Sequence, residues 1–555
     1  MGKGDSLNSD FAEVLIDQLV QLGIELFCIA PGRRSTPLVV AAASHPKAKT
    51  FVHFDERGVA FHALGYGKAT GKPAAVITTS GSALGNVMPA VMEAHASNIP
   101  LLLLTADRPH ELREAMANQT CDQLKIFGGY VRHFFEMPTP DPTLPDSFLA
   151  TTLSQAYRYC SSGPVHLNCP FKEPFDGKAQ LTTQKKPVET TFGELTLSNE
   201  VASQWATSLS EIEKGVIVVG THNRSEHRGI ETLAKKLGWP VFPDINSSYR
   251  SIPGRNEIPY YPYLVGPSEE KADLILQFGD SVVSKRLLQW IPKHKRVIHV
   301  SSHVKRCDPS HCVTDRVVCD PNLFAQKVAK QISSKLGNYY SYWKEKSDQV
   351  HEILSSIFEN EDELSEMGVV WKLGKTLTSD QALFIGNSMP IRDADCLLFP
   401  KAPIGPLFSN RGLSGIDGNV ATSAGIAQTL PTFALIGDQT LLYDLNSLAQ
   451  LPKTPHPVQI IVINNQGGQI FSYFTPPNKK KMWETHFNAV HSMDFRNAAE
   501  LFELSYQNVK TPQELNFVKP GIIEVNTSCE ATISMHKRII KEIENALCTS
   551  SSMVF

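Results

Sequence analysis

The sequence predicts an α/β protein built from three doubly wound, parallel-sheet domains. Short apolar runs alternate with helix-like segments along most of the 555 residues, as strands joined by crossover helices do. A polar stretch at 178–198 and a charged helical stretch at 341–366 separate three such blocks. Polar turns follow the apolar runs, and in open sheets such turns form the edge where ligands bind. We expect domains at 1–180, 199–340 and 360–548.

Composition and charge argue against several classes of protein. A chain of 555 residues is too long for one core, and 42% hydrophobic with 20% charged residues is typical of soluble globular proteins. The net charge of −3 gives no reason to expect nucleic acid or an anionic membrane as a partner. No apolar run approaches the roughly 18 residues of a membrane span. Ten cysteines without a CxxC motif, and a start without a signal-peptide core, predict a cytoplasmic protein.

The first block alternates helix and strand from its start. An apolar helical face begins after Ser9-Asp10, a plausible cap. Arg34 and Ser35 lie in the turn after the first strand, where a helix begins and a carboxylate could bind. The predicted strands are Leu26–Ile29, 50–54, 74–79 and 101–105, with a helix at about 83–96. Later turns carry Glu56, Arg108, Asn118 and Gln119.

The middle block repeats the strand pattern at 215–220, 240–245, 272–279 and 296–301. Its first turn, Gly220-Thr221-His222-Asn223, lacks the spaced glycines through which a pyrophosphate approaches the backbone. We therefore predict no dinucleotide site there. Lys285 follows the Gly279-Asp280-Ser281 turn and could reach an adjoining active site.

A histidine and cysteine cluster in the middle block raises the alternative of a zinc site. It comprises His303, Cys307, His311, Cys312 and Cys319. Zinc sites prefer closer pairs with regular spacing, and Cys319 ends a probable strand at 316–319. We favour a polar loop with incidental thiols over a metal.

The third block contains a complete βαβ unit at 433–474. An apolar run at 433–436 stops at Gly437-Asp438, and leucines at helical spacing follow at 441, 442, 445 and 448. A second apolar run at 458–463 ends in Asn464-Asn465-Gln466-Gly467-Gly468. Both polar turns then lie at the carboxyl ends of parallel strands and face the same edge of the sheet.

The chemistry of these two turns suits a divalent cation that carries a diphosphate. Asp438 supplies a carboxylate oxygen, Asn465 an amide oxygen and the chain near Gly467 a carbonyl oxygen. A few hard oxygen ligands suit Mg²⁺, which takes further oxygens from phosphates, and the helix after Asp438 would aim N–H groups at them. Either turn alone is more simply a helix cap or an Asn-Gly-Gly turn. Their combination in one unit favours the metal–diphosphate site.

The same stretch resembles the thiamine-diphosphate signature of Gly-Asp, a helix and Asn-Asn. It departs from that signature at Gln439, where Gly is usual. The order of the blocks resembles pyruvate-decarboxylase-like enzymes, with pyrimidine-binding, middle and diphosphate-binding domains. Ten segments together resemble the 2-succinyl-5-enolpyruvyl-6-hydroxy-3-cyclohexene-1-carboxylate synthase family of menaquinone biosynthesis: CIAPGRRSTP, HFDERG, TSGSA, LTADRP, ANQ, KRLLQW, GNSMPIR, SNRGLSGIDG, GDQTLLYDLN and NNQGGQIFS.

The resemblance implies a transferase that uses thiamine diphosphate and Mg²⁺ (or Mn²⁺). Its reaction would decarboxylate 2-oxoglutarate and add the resulting carbanion to isochorismate, in menaquinone or phylloquinone biosynthesis. A homodimer or homotetramer is implied, because in this family the catalytic glutamate and the diphosphate site come from different subunits. The alternatives are another thiamine-diphosphate 2-oxoacid decarboxylase, an acetolactate-type carboligase, or a cofactor-free binding or scaffold protein.

The resemblance also implies roles for individual residues. Glu56 is the catalytic residue, bonded to N1′ of the aminopyrimidine, and Ile416 is the apolar wedge that holds the cofactor bent. The implied cofactor contacts are Glu56, Ser388, Ile416, Gly437, Asp438, Gln439, Asn465, Gly467 and Ile470, with Asp438, Asn465 and Gly467 on the metal.

Two substrates with four carboxylates need fixed cations in the pocket, and arginine suits a carboxylate because its fork makes two parallel bonds. The implied substrate contacts are Arg34, Ser35, Arg108, Asn118, Gln119, Lys285, Ser388, Arg392, Arg411, Ile470, Phe471 and Phe474. Arg33 stands where the family has Ser. Either it adds a carboxylate contact, or it points away and a hydroxyl contact is lost.

Overall fold

A computed structural model describes residues 7–176, 186–221, 227–254, 256–265, 270–333, 337, 339–474, 476–517 and 521–550. The predicted limits 1 and 180 of the first domain lie outside the described residues. So do the start of the predicted linker and positions 222 and 223 of the middle-block turn.

The first sheet has six parallel strands in the order β2-β1-β3-β4-β6-β5. They are β1 (Leu26–Ile29), β2 (Lys49–Val52), β3 (Ala74–Thr78), β4 (Leu101–Asp107), β5 (His133–Glu136) and β6 (Pro164–Pro170). The helices are α1 (Leu7–Gln21), α2 (Thr36–Ser44), α3 (Glu56–Thr70), α4 (Ala83–Ser97) and α5 (Asp146–Cys160). Phe27 and Ile29 pack into the core on one face of the sheet, and Leu26 and Cys28 into the core on the other. Burial on both faces is why such strands read as continuous apolar runs.

The middle sheet has five parallel strands in the order β11-β10-β9-β7-β8. They are β7 (Gly215–Val219), β8 (Val241–Pro243), β9 (Leu274–Phe278), β10 (Val297–Ser301) and β11 (Asp315–Val318), with helices α6 (Asn199–Ser210), α7 (Arg228–Leu237), α8 (Tyr261–Leu264), α9 (Lys285–Trp290) and α10 (Pro321–Gln331). A Cβ on Gly220 would come 2.5 Å from the carbonyl oxygen of Asp280. This glycine therefore serves the packing of two loops at the sheet edge.

The third sheet has six parallel strands in the order β13-β12-β14-β15-β17-β16. They are β12 (Ala382–Ile385), β13 (Leu407–Phe408), β14 (Thr432–Gly437), β15 (Val458–Asn464), β16 (Tyr506–Val509) and β17 (Gly521–Asn526). The helices are α11 (Tyr339–Glu359), α12 (Glu366–Gly374), α13 (Met389–Leu397), α14 (Asn419–Ile426), α15 (Asp438–Tyr443), α16 (Lys480–Trp483), α17 (Arg496–Leu501) and α18 (Cys529–Ser550). Counted within its own domain, this sheet has the same strand order as the first.

Shorter helical turns complete the described chain. The 3₁₀ turns are Arg33–Ser35, His110–Leu112, Gly128–Tyr130, Ser248–Ser251, Ile291–Lys293, Leu445–Lys453, Gln469–Phe474, Pro477–Lys479 and Pro512–Glu514, and Glu484–Asn488 is a π turn. Within the described residues, no helix combines the length and apolar character needed to cross a lipid bilayer.

Helices α3 and α14 join the first and third domains in close contact. A Cβ on Gly65 would come 2.1 Å from the carbonyl oxygen of Thr422, and one on Gly425 would come 2.0 Å from that of His62. His62 is fully buried at this contact, with Nδ1 2.9 Å from Gln450 Oε1 and Nε2 3.1 Å from Gln428 Nε2. Burial lowers the pKa of His62 to about 3, so the ring is neutral here.

Three predicted helices have different bounds in the structure. α1 begins at Leu7, so Ser9 and Asp10 lie inside its first turn rather than before it. The helix predicted through 441–448 ends at Tyr443, and the chain continues as a 3₁₀ turn. The α-helix ends here because the Asp444 carboxylate accepts a hydrogen bond from the backbone N–H of Ala421 at 3.0 Å.

The third of these, the charged stretch 341–366, is not one helix. It breaks after Glu359, and α12 starts at Glu366 with Ser365 as its cap, since Ser365 Oγ accepts from the backbone N–H of Gly368 at 3.0 Å. The strand predicted at 50–54 is Lys49–Val52. Strands β5, β6, β13, β16 and β17 were not predicted.

Candidate functional site

A cavity of about 320 Å³ lies at the carboxyl ends of β12, β14 and β15. Its lining runs from Glu366 to Phe471, so among the described residues it is formed by the third domain alone. The order of the strands reverses between β12 and β14, where ligands bind in doubly wound sheets. Of the predicted site residues, this cavity gathers Ser388, Arg392, Arg411, Ile416, Gly437, Asp438, Gln439, Asn465, Gly467, Ile470 and Phe471.

Asp438 ties the two predicted turns together at the base of the cavity. Its carboxylate accepts from the backbone N–H of Gln439 at 2.6 Å and from that of Gly467 at 2.8 Å. His491 Nε2 lies 3.3 Å from Asp438 Oδ2. Burial raises the pKa of Asp438, and the backbone N–H groups oppose that shift. The carboxylate is thus fixed between the ends of β14 and β15.

Asn465 presents an oxygen that the protein itself does not use. Its Nδ2 donates to Glu366 Oε1 at 2.8 Å, whereas its Oδ1 is buried and has no hydrogen-bond partner among the described residues. Buried acceptors normally have a hydrogen-bond partner. The oxygen of Asn465 is therefore available to a bound ligand. Asp438 and Asn465 together offer the hard oxygens that Mg²⁺ binds.

The glycines of the two turns serve different purposes. Gly467 has φ +141°, and a Cβ there would come 2.6 Å from the carbonyl oxygen of Asn488. A Cβ on Gly437 would meet nothing closer than Thr440 Oγ1 at 4.0 Å. Gly467 is therefore required by the chain's own packing, and Gly437 leaves open space beside Asp438. The residues present fit a divalent cation and a diphosphate.

Strained backbone and adjacent cations line the upper part of the cavity. Ser388, which precedes α13, has φ 71° and ψ −129°, a conformation that costs a non-glycine residue about 1–3 kcal/mol. Arg392 donates to the carbonyl oxygen of Ser388, and Arg411 Nη1 donates to Asn387 Oδ1 at 3.0 Å. Partial burial and the charge of Arg411 lower the pKa of Arg392. Both residues line the cavity, and two positive charges on its wall favour an anionic ligand.

A second group of predicted residues lies at the edge of the first sheet, beyond β1, β3 and β4. Arg34 Nη1 donates to the carbonyl oxygen of Phe171 at 2.8 Å, and its guanidinium stacks 4.7 Å from the ring centre of Phe175. Arg108 donates to Ser80 Oγ and to the carbonyl oxygen of Asn118. Ser35 Oγ donates to Gly32 O at 2.9 Å, and Gln119 Nε2 donates to Ser80 O at 3.1 Å. These residues are together, but they do not line the 320 Å³ cavity.

The remaining predicted residues stand apart from both groups. Glu56 is the first residue of α3, half-buried, and its Oε2 accepts from Asn86 Nδ2 at 3.1 Å. Lys285 is exposed at the start of α9, and Phe474 is 66% exposed. Arg33 is also exposed. Cys307 and Cys312 in the proposed polar loop lie near different carboxylates, those of Asp280 and Asp308. The site roles given to these residues stay predictions.

Sequence reasoning missed Glu366 and His491, which contact two of the three predicted metal ligands, Asn465 and Asp438. Glu366 is separated from Asn465 by 99 positions. Burial and the charge of Asp393 raise the pKa of Glu366 to about 7. A helix-start signal at Ser365 could have located the beginning of α12, but no local pattern points from either residue to the cavity.

Two family models match the chain. The family described as "Thiamine pyrophosphate enzyme, N-terminal TPP binding domain" matches residues 9–126, and "Middle domain of thiamine pyrophosphate" matches residues 180–385. The first match includes Glu56, Arg34 and Arg108, and the second ends at β12, so that it includes Glu366 but none of the other residues that line the cavity.

Curated relatives match almost the whole chain. A protein of Rubrobacter xylanophilus named 2-succinyl-5-enolpyruvyl-6-hydroxy-3-cyclohexene-1-carboxylate synthase is 39% identical, over 96% of this chain and 98% of its own. One of the same name from Chlorobium phaeobacteroides is 38% identical, over 97% and 98%. Among solved structures, benzoylformate decarboxylase from Polynucleobacter necessarius superposes with a TM-score of 0.74 at 16% identity, covering 93% of this chain and 98% of that one. This last likeness concerns the fold.

Proposed function

The chain belongs to the 2-succinyl-5-enolpyruvyl-6-hydroxy-3-cyclohexene-1-carboxylate synthase family, and from this premise we propose its reaction and its site. It is a thiamine-diphosphate-dependent transferase of menaquinone biosynthesis. It decarboxylates 2-oxoglutarate and joins the carbon skeleton that remains to isochorismate, with release of CO₂. The observation that carries the proposed site is the buried, unpartnered Asn465 Oδ1 beside Asp438.

The third domain would hold the diphosphate through Mg²⁺ (or Mn²⁺). Asp438, Asn465 and the backbone at Gly467 would bind the cation, and Gly437 and Gln439 would border the diphosphate. Ile416 and Ile470 line the same cavity and would support the bent cofactor. When bound, thiamine diphosphate supplies the carbon nucleophile that attacks a 2-oxoacid and the electron sink for decarboxylation.

The charged residues would have two roles: sharing a proton with the cofactor and binding the substrate carboxylates. Glu56 would share a proton with N1′ of the aminopyrimidine. Arg392 and Arg411, close enough to repel each other, would bind substrate carboxylates in the fork geometry that suits arginine. The other implied substrate contacts are Arg34, Ser35, Arg108, Asn118, Gln119, Lys285 and Ser388, with Phe471 and Phe474 as apolar walls.

The active unit we propose is at least a homodimer, in which a second copy completes each site, and a homotetramer is the alternative. Two observations support this: among the described residues the third domain alone lines the cavity, and Glu56 accepts a hydrogen bond from Asn86 elsewhere. We further propose the domain limits 1–180, 199–340 and 360–548, and a cytoplasmic location, which cysteine usage favours.

One assay tests the proposed reaction. The protein is incubated with thiamine diphosphate, Mg²⁺ and 2-oxoglutarate, with and without isochorismate, and CO₂ and the carboligation product are measured. We expect isochorismate to accelerate CO₂ release and to be consumed in step with it. CO₂ release that isochorismate leaves unchanged would favour a simple decarboxylase and contradict the proposal.

A further inference from the structure

We propose that Glu366 is a positioning residue that determines which end of the Asn465 amide faces the divalent cation. The inference rests on the proposed function, because it needs a cation at Asp438. Glu366 borders the cavity, and in this role it acts through Asn465.

The hydrogen bond between these two residues sets the orientation of the amide. Asn465 Nδ2 lies 2.8 Å from Glu366 Oε1, and a carboxylate oxygen accepts hydrogen bonds but does not donate them. The NH₂ end must therefore face Glu366, which turns Oδ1 towards the opposite side, where it is buried without a partner among the described residues. The two ends of an amide are nearly equal in shape. Without this acceptor the group could turn and present its NH₂ hydrogens to the cation.

Glu366 is itself held firmly in place. It is 3% exposed and is the first residue of α12. Ser365, the cap of α12, donates its backbone N–H to Glu361 Oε1 at 3.1 Å. The positive end of a helix stabilises a carboxylate at this position by about 0.3–1 kcal/mol. The support beneath Asn465 is thus a fixed carboxylate rather than a mobile surface group.

The neighbourhood of Glu366 is costly for a carboxylate. Glu366 is almost fully buried, and removing a carboxylate from water costs free energy. If Glu366 served only to start α12, a neutral residue would do so at less cost. Its contact with Asn465 supplies the missing reason.

The first experiment measures Mg²⁺ affinity at saturating thiamine diphosphate by calorimetry. We expect Glu366→Ala to weaken Mg²⁺ binding about 10-fold to 100-fold, as loss of a residue that orients a metal ligand does. Glu366→Gln keeps an acceptor oxygen and should stay nearer to the wild type. Glu361→Gln makes the same charge change in the same capping loop without touching Asn465, and should leave Mg²⁺ affinity unchanged.

A second experiment separates positioning from a purely structural role. In an Asn465→Asp background two carboxylates face each other, so Glu366→Gln should strengthen Mg²⁺ binding there, whereas it weakens or preserves binding beside Asn465. A helix-starting role would give the same sign in both backgrounds and would overturn the inference. This comparison also tests the positioning role of Glu366 if the Glu366→Ala protein does not fold.

The outcomes distinguish the inference from the function on which it rests. A folded Glu366→Ala protein that binds Mg²⁺ like the wild type overturns the role of Glu366 alone. A wild-type protein that shows no Mg²⁺-dependent binding of thiamine diphosphate overturns the proposed cofactor site, and the role of Glu366 with it.

Discussion

The first and third domains share a strand order, yet their sheet edges are in different states. At the third sheet, Asn465 Oδ1 is buried with no hydrogen-bond partner in the described part of the chain, and Gly437 leaves open space beside Asp438. At the first sheet, Arg34 and Arg108 already donate to oxygens of their own domain. The edge of the third sheet has polar groups available for a ligand. At the edge of the first sheet, the predicted site residues already make hydrogen bonds within their own domain.

In the proposed function, one fold would supply two unlike halves of a site. A divalent cation needs hard oxygens in a concave space, and Asp438 and Asn465 line such a cavity in the third domain. A proton-sharing carboxyl needs only a fixed position, and Glu56 has one at the start of α3. The halves are complementary in chemistry, so they can be tested separately.

The largest expected effect comes from Glu56. We predict that Glu56→Gln lowers turnover about 1000-fold, within the range of general acid–base contributions, because the amide cannot share a proton with the aminopyrimidine. Calorimetry should show that thiamine diphosphate still binds with Mg²⁺. Asp438→Ala is the matched change in the other domain and should abolish that binding. Loss of cofactor affinity in Glu56→Gln would break the proposed division between the halves.

Mixing the two variants would sharpen the comparison. If each site uses Glu56 of one subunit and Asp438 of another, co-refolded Glu56→Gln and Asp438→Ala subunits form hybrids with one intact site. For random pairing in a dimer the mixture should regain about one quarter of wild-type activity. An equal mixture that stays inactive, while native gels show hybrids, would mean that both residues serve one subunit.

Acid should weaken the contact between the two domains through His62. Burial holds its pKa at about 3, below the usual 6.5. The unfolded chain therefore binds a proton below pH 6.5 while the folded chain does not, and stability falls as pH drops from about 6.5 to 3. Each pH unit costs about 1.4 kcal/mol, so about 2 kcal/mol is lost at pH 5.

The check on this prediction is denaturant unfolding of the wild type and His62→Gln between pH 7 and pH 5. Other buried histidines titrate in both proteins, so the difference between the two curves reports His62. Parallel curves would show that this ring does not carry the acid sensitivity of the contact.

The smallest effect concerns the strained turn of the third domain. Ser388→Gly should raise the free energy of unfolding by about 1 kcal/mol, because glycine adopts φ 71° without the cost borne by serine. The same change should raise the KM for the substrates, since the hydroxyl at the cavity is lost. Thermal unfolding and steady-state kinetics measure both. A variant that is less stable would show that serine is not strained there.

The sequence predictions were most accurate where polar residues with a clear chemical character directly follow a predicted strand. Asp438, Asn465 and Gly467 follow two long apolar runs directly, and the cavity gathers them with the predicted Ser388, Arg392 and Arg411. The strands β16 and β17 went unpredicted because their short runs carry weak periodicity. The predicted bounds of helices were wrong where a single side chain redirects the backbone, as Asp444 does at the end of α15.

The most instructive failure lies at 359–366. Helical periodicity continues across this stretch, but Ser365 and Glu361 interrupt it and start a new helix at Glu366. The contact of Glu366 with Asn465 spans 99 positions, and no local pattern encodes such a distance. Predicting one continuous helix across 359–366 therefore also misses the position of Glu366 at the start of α12.

The crossing of Gly65 and Gly425 has a consequence for how the chain is laid out. α3 and α14 hold the same place in their domains, each between the second and third strand of its sheet. These equivalent helices meet directly, backbone against backbone, at Gly65 and Gly425. One polypeptide therefore joins two units of the same strand order through corresponding helices.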